Sequence, residues 1–307
     1  MPTHRAPHPT VGPHPPSARD GVGASRVYLP PGPWSRVLDF LVQRFVHVPA
    51  AVWCQRLREG RVFNGQGQAL SAQSAYAPGT WVYYYREVQD ELVIPFEVDI
   101  LYQDDHLVVV DKPHFLPVTP SGGQLAHTLL VRVRRALGRD TLVPVHRLDR
   151  ETAGLVLLAG SPAARSAYGG LFRTHAIEKT YQAVSIHRPD LPLPLTRRSR
   201  IAPASHFMLQ HEVPGPVNAI THIERSAVHG DLARYTLKPV TGQRHQLRIH
   251  MAALGLPLLN DTLYPVLQPQ ATPDWDHPLQ LLASELRWRD PFSGQPRHFV
   301  SRRRLII

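Results

Sequence analysis

Alternation with a period of two recurs along most of this chain and sets the strongest limit on its fold. In Leu232 to Lys238, Ala233, Tyr235 and Leu237 fall on one face and Arg234, Thr236 and Lys238 on the other, as a strand with one buried and one wet face requires. Joined through His229-Gly230-Asp231 to an apolar-alternating run over 219–228, this segment reads as a hairpin. Val98, Ile100 and Tyr102 alternate in the same way, and His106 to Val110 pairs back after Asp104-Asp105. Further strands are expected over 155–159, 177–186 and 282–288. Helical spacing intervenes at Leu129, Leu130, Val133 and Leu137 before Gly138, over 162–172, and over 243–254 ahead of Gly255 and Pro257. The pattern predicts an α+β fold with a mostly antiparallel mixed sheet over residues 91–307. The Pro/Arg-rich stretch 189–205 is expected to be a connection, too long for a plain loop in a compact domain and therefore functional or mobile.

The N-terminal third reads differently. Residues 1–33 are rich in Pro and His with no apolar periodicity, the composition of a disordered tail; His4, His8 and His14 have no acidic or Cys partners at ligand spacing. From Trp34 to residue 90 the apolar residues suggest two short helices, then Asn64-Gly65 as a hairpin turn and a strand over 80–85. Arg56, Arg58 and Arg61 cluster at the junction. This small α+β unit resembles the RNA-binding module named after ribosomal protein S-four, and the resemblance implies RNA contacts from those three arginines. A capping domain that binds nothing is the alternative.

Composition narrows the function. With 34 Lys+Arg against 24 Asp+Glu the net charge is +10, which favours a polyanionic partner, nucleic acid ahead of an acidic membrane. Only Lys112, Lys179 and Lys238 are lysines; arginine's planar fork suits phosphates and bases, although a GC-rich gene would also enrich it. One cysteine, Cys54, excludes a disulfide framework and a multi-Cys zinc site. The longest apolar run, about 153–160, is far short of the roughly 18 residues of a membrane span, and a cytoplasmic protein is expected. Phosphate loops of the Walker type, G-x-G-x-x-G, G-x-S-x-G and H-E-x-x-H are all missing. His245 and His250, five apart, do not stack on one helix face as a metal pair would.

Two polar clusters remain. In His146-Arg147-Leu148-Asp149-Arg150-Glu151-Thr152-Ala153-Gly154 two arginines flank a carboxylate; their field would keep it ionised as a nucleophile or base, or the group is a structural salt-bridge knot. In Thr241 to His250, Arg244 and Arg248 are one turn apart on an expected helix, able to clamp phosphate or pair with a remote carboxylate, or simply to form a solvated face. Between them Tyr181 lies on a strand, as a core aromatic or as a ring that stacks on a base.

HRLDRETAG, EKTYQAV and TGQRHQLRIHMAALGLPLLNDTLY, in this order, resemble the signature blocks of the RluA family of pseudouridine synthases over roughly residues 91–290. The resemblance implies the pseudouridine synthase fold and isomerisation of uridine in RNA without cofactor or metal. It implies that Asp149 is the catalytic aspartate, that Tyr181 stacks on the target base and that Arg248 pairs with the aspartate. Arg147 would take the vacated place in the RNA stack, with His146, Arg150 and Arg244 as further RNA contacts. Ala153, Gln243-Arg244 and Asn260 depart from the usual serine, basic-then-small-polar pair and glycine; the last implies an altered turn. Ribosomal or transfer RNA is the expected partner of a monomer. The alternatives are a noncatalytic RNA-binding or ribosome-assembly factor on this fold and, more weakly, a glycosidase using Asp149 and Glu151.

Overall fold

The structure is a computed structural model that describes residues 16–88, 90–269 and 272–307. The chain divides into two units, Met1–Glu91 and Leu92–Ile307. The first fifteen residues of the expected tail, His4, His8 and His14 among them, lie outside the described residues.

In the first unit the strands β1 (Ser25–Tyr28), β2 (Val62–Phe63) and β3 (Trp81–Tyr84) form an antiparallel sheet in the order β1-β3-β2. Helices α1 (Val37–Arg44) and α2 (Ala50–Arg58) bury Phe40, Leu41, Trp53 and Leu57 against Leu29, Val62, Val82 and Tyr84. Two expectations are corrected here. Residues 25–28 belong to a strand rather than to the tail, because β3 offers a free edge and Arg26 to Tyr28 pair with Trp81 to Tyr83. Asn64-Gly65 is not a two-residue hairpin turn: the Asn64 side chain accepts from the Gln66 and Gln68 amides and opens a longer loop, and β2 pairs instead with β3.

The second unit is one large sheet built from β4 (Asp99–Gln103), β5 (Leu107–Lys112), β6 (Val143–Pro144), β7 (Ala153–Ala159), β8 (Glu178–Ile186), β9 (Leu195–Pro203), β10 (Gln210–Val213), β11 (Ala219–His229), β12 (Leu232–Pro239), β13 (Leu281–Arg289) and β14 (Pro296–Val300). The main order is β10-β9-β11-β12-β8-β13-β7-β5-β4, with β14 beside β13 and β6 beside β7. All pairings are antiparallel except β7 with β13, so the α+β, mostly antiparallel expectation holds. Helix α3 (Leu129–Leu137) starts at Thr128 and ends on Gly138 in the left-handed region, the usual conformation of a C-terminal stop. Helix α4 (Pro162–Arg173) is capped by Ser161. Val110, Leu116, Leu129, Val133, Val156 and Leu158 form one core beneath α3; Ala233, Tyr235, Leu237, Leu247 and Met251 form another beneath α5 (Gln246–Ala253).

The stretch 189–205, expected as a connection, contains β9, which pairs on both sides with β10 and β11. Its arginines do not prevent this: Ile201 and the half-buried Leu195 face inward while Arg197 pairs with Glu212. Helix α5 begins three residues later than its spacing predicts, because His245 adopts φ +58 and the turn ahead of it is held by Gln246, which accepts from Gln243 N and Thr241 Oγ1. Arg244 therefore lies before the helix and not one turn from Arg248 on its face. Asn260 holds φ +63, a backbone that asparagine tolerates better than most residues, and its side chain donates to Pro278 O.

Candidate active site

A cleft of about 820 Å³ opens in the second unit and is lined by Arg147, Asp149, Tyr181, Arg244, His245 and Arg248 among others. Asp149 stands on the loop between β6 and β7, closed by a Thr152 N–H to Asp149 O turn. The loop is pinned from beneath. Lys112, fully buried at the end of β5, donates to the carbonyls of Pro113, Leu116 and Arg150 at 3.0, 2.9 and 3.0 Å, and His114 Nδ1 contacts Glu151 O at 2.6 Å. Burial pushes the Lys112 ammonium down to about 7 and the His114 imidazole down to about 4.

The cation facing Asp149 comes from far along the chain. Arg248, 1% exposed on α5, places Nη1 3.7 Å from Asp149 Oδ2 and 3.7 Å from Glu151 Oε2. Its other edge is spent on Asp261: Nε and Nη2 donate to the two carboxylate oxygens at 2.9 and 2.6 Å. Burial opposes that charge, but the Asp261 hydrogen bonds and the carboxylates around it hold the guanidinium above its ordinary range. This is a bidentate, fork-to-fork pair, which fixes the orientation of both partners. Asp261 in turn accepts from the Leu263 and Tyr264 amides.

Neither arginine beside Asp149 in sequence forms an ion pair with it. Arg150 donates to Glu151 at 2.8 Å, and Arg147 is exposed at the mouth of the cleft. Glu151 shares Arg248 Nη1 with Asp149. Burial raises the Glu151 carboxyl, but Arg150 and Arg248 outweigh this and hold it below its usual range. His146, expected to contact RNA, lines the cleft half-buried, with its Nε2 accepting from Leu157 N–H and its ring stacked on Phe172 at 4.4 Å. Burial lowers its imidazole to about 3, so it stays neutral as an acceptor must. Arg244 lies at the exposed rim and donates to the Phe207 and Met208 carbonyls.

Tyr181, on β8 between Leu237 of β12 and Ala283 of β13, packs against both core clusters. Burial, with the Asp149 carboxylate adding to it, raises its phenol above the ordinary range. Lys179, two residues before it, donates to Val240 O and Thr241 O, and burial lowers it to about 8. In the other unit Arg56 is 7% exposed with its guanidinium over Trp53 at 5.0 Å. Arg58 is exposed, while Arg61 pairs with Glu59 and Glu87.

A tyrosine, an aspartate and a buried arginine thus gather at one cleft from a strand, a loop and a helix. Residues 106–253 match the family model described as RNA pseudouridylate synthase. An uncharacterized RNA pseudouridine synthase of Synechocystis is 32% identical over 242 residues, 74% of this chain and 79% of that protein. The dual-specificity RNA pseudouridine synthase RluA of Haemophilus influenzae is 35% identical over 211 residues, 66% of this chain and 91% of that protein. The solved structure of human RNA pseudouridylate synthase domain containing 4 superposes with a TM-score of 0.52 at 26% identity, covering 67% of this chain and 88% of that one. The chain belongs to the RluA family of RNA pseudouridine synthases. It isomerises uridine in RNA.

In the sequence His245 stands out only as half of a metal pair, and nothing there singles out Asp261, Tyr264 or Lys112. Among the described residues no cluster of three or more His, Cys, Asp or Glu could hold a metal ion, and no helix is long and apolar enough to cross a membrane. His245, Asp261 and Tyr264 all lie within the third signature block, which was the signal available.

Proposed function

We propose that Asp149 is the catalytic carboxylate of this uridine isomerase, with Tyr181 against the flipped uracil and Arg248 behind the carboxylate. The observation that carries the reading is the Asp149 carboxylate in the cleft, faced at 3.7 Å by an arginine that is itself 1% exposed. In the reaction the N1–C1′ bond breaks, the uracil turns, and a C5–C1′ bond forms. C5 releases its proton to solvent and N1 takes one up. A base inside folded RNA must first leave its stack, at a cost of a few kcal/mol. Stacking on an aromatic ring worth about 1–3 kcal/mol offsets that cost, and a Tyr181 phenol kept protonated by burial is a neutral face for it. Arg147, exposed at the mouth, is suited to fill the gap left in the RNA, and Arg244 and Arg150 to meet phosphates.

Transfer and ribosomal RNA are the substrate classes we favour. One relative, from Pectobacterium carotovorum, is named tRNA pseudouridine synthase C and is 35% identical over 221 residues, 65% of this chain and 57% of that protein. The Haemophilus relative is named for dual specificity. The first unit, with Arg58 exposed, is proposed as an S-four-like RNA contact, and the enzyme as a cytoplasmic monomer.

The test is tritium release from 5-tritiated bulk RNA of cells lacking this gene, incubated with wild type and with Asp149→Ala. Release by wild type alone is expected. Release by both proteins would refute the role of Asp149; release by neither, with RNA binding intact, would favour the noncatalytic alternative.

A further inference from the structure

The Asp149 carboxylate has two oxygens and two buried nitrogen neighbours. Arg248 Nη1 faces Oδ2 at 3.7 Å, and His245 Nε2 faces Oδ1 at 3.8 Å. Arg248 Nη1 has no hydrogen-bond partner among the described residues although it is buried. His245 is also buried, at 8% exposure. Hydrogen bonds at catalytic groups are often long in the free enzyme and tighten when substrate is bound.

The hydrogen bonds behind His245 decide which nitrogen carries its proton. Tyr264 Oη accepts from the Gln210 amide at 2.9 Å and lies 2.9 Å from His245 Nδ1. Tyr264 is buried, and among the described residues His245 Nδ1 is the one acceptor within reach of its hydroxyl proton. If Nδ1 bore the hydrogen, the phenol would accept twice and its own proton would be left buried and unpaired, a cost that folded proteins avoid. The phenol therefore donates to Nδ1, and the imidazole carries its hydrogen on Nε2, aimed at Asp149. Burial, which outweighs the pull of Asp149, lowers the His245 pKa, in keeping with a neutral ring.

The backbone supports the same purpose. His245 holds φ +58 at the start of α5, a left-handed conformation that costs a non-glycine residue and persists where surroundings enforce it. The turn Asp261 to Tyr264 serves both donors at once. Asp261 holds Arg248 by its Nε and Nη2, while Tyr264 holds His245 and packs its ring 5.6 Å from the Arg248 guanidinium.

We infer that His245, fixed by Tyr264 as the Nε2–H tautomer, is a positioning residue that orients the Asp149 carboxylate from Oδ1 while Arg248 does so from Oδ2. The inference rests on Asp149 being the catalytic carboxylate. It adds a second arm to the site and gives the turn 261–264 a role in reactivity.

Single-turnover tritium release with the full-length protein, at saturating and limiting RNA, tests it in His245→Ala, His245→Gln and Tyr264→Phe, with Asp149→Ala as reference. His245→Ala is expected to slow the rate at saturation about tenfold or more, the scale of a misplaced reacting group, with half-saturating RNA unchanged and the protein still folded, although its unfolding midpoint falls because the Tyr264 hydroxyl loses its acceptor. His245→Gln, whose amide can again offer an N–H, is expected to recover part of that loss. Tyr264→Phe keeps the ring over Arg248 and should lose about threefold or more at saturation. Should His245→Ala and Tyr264→Phe turn over within twofold of wild type while Asp149→Ala is inactive, the inference fails and the reading of Asp149 stands. A loss confined to half-saturating RNA, or none restored by His245→Gln, would likewise overturn it. Turnover by Asp149→Ala would instead overturn the reading of the site, and this inference with it.

Discussion

Gly154→Ala is the substitution whose cost can be worked most directly from the geometry. Gly154 lies on β7 at its parallel crossing with β13, opposite Ala283, with φ +112. A Cβ there would sit 2.2 Å from Ala283 O and 2.7 Å from Ala283 C and N. These are backbone atoms of a central strand and cannot swing aside. The unfavourable φ costs about 1–3 kcal/mol and the overpacking about another 1–3 kcal/mol. The total, about 2–6 kcal/mol, is a large part of the stability of an ordinary domain. In urea, with a slope of about 1–3 kcal/mol/M, the unfolding midpoint should fall by about 1 M or more, and Asp149 and Tyr181, mounted on either side of that crossing, should lose their register. Gly169→Ala is the control. Gly169 lies inside α4 with nothing within 4 Å of the added Cβ, and alanine in a helix interior should stabilise by about 0.5–1 kcal/mol. Equal midpoints for wild type and Gly154→Ala would refute the reasoning.

Arg248→Met should both abolish turnover and destabilise by about 3–5 kcal/mol, because Asp261 would be left buried without its cation; an unchanged unfolding midpoint would show that Asp261 finds another partner. Acid should weaken the fold from about pH 6.5 downward. His250, fully buried between Ser199 and Thr221, has its pKa lowered by burial to about 4, and His114 and His146 are lowered with it. The unfolded chain takes up those protons near 6.5 while the folded chain resists to about 4, so stability present above 6.5 is lost across that window, by about 3 kcal/mol for His250 alone. Urea midpoints that stay level between pH 7 and 4.5 would contradict this. RNA affinity should drop steeply between about 50 and 200 mM salt, since phosphate contacts dominate; filter binding that shows no salt slope would argue against the basic surface as the RNA contact.

The elements with local signals were legible in the sequence. Leu129–Leu137 carries its own cap and stop in Thr128 and Gly138, and Ala233, Tyr235 and Leu237 alternate because burial on one face demands it. Strands β9 and β14 were missed because neither has a strong pattern of its own; pairing with β11 and β13 supplies the order. The late start of α5 and the left-handed His245 were likewise invisible, since side-chain bonds from Gln246 override helical spacing there.

At the site the sequence by itself determined the inventory: an aspartate, a tyrosine and an arginine within ordered blocks, on a basic chain. It could not say which charges meet, because charge pairing depends on distance through space. Arg147 and Arg150 adjoin Asp149 in sequence, yet the guanidinium that faces its carboxylate belongs to Arg248, and Glu151 shares it. Only the tertiary structure decided that Arg56 packs on Trp53 and that His146 accepts from Leu157 N–H. It alone brought His245 and Arg248 to one carboxylate, with Tyr264 behind the first and Asp261 behind the second, and hydrogen bonds set by that fold fix where each proton points.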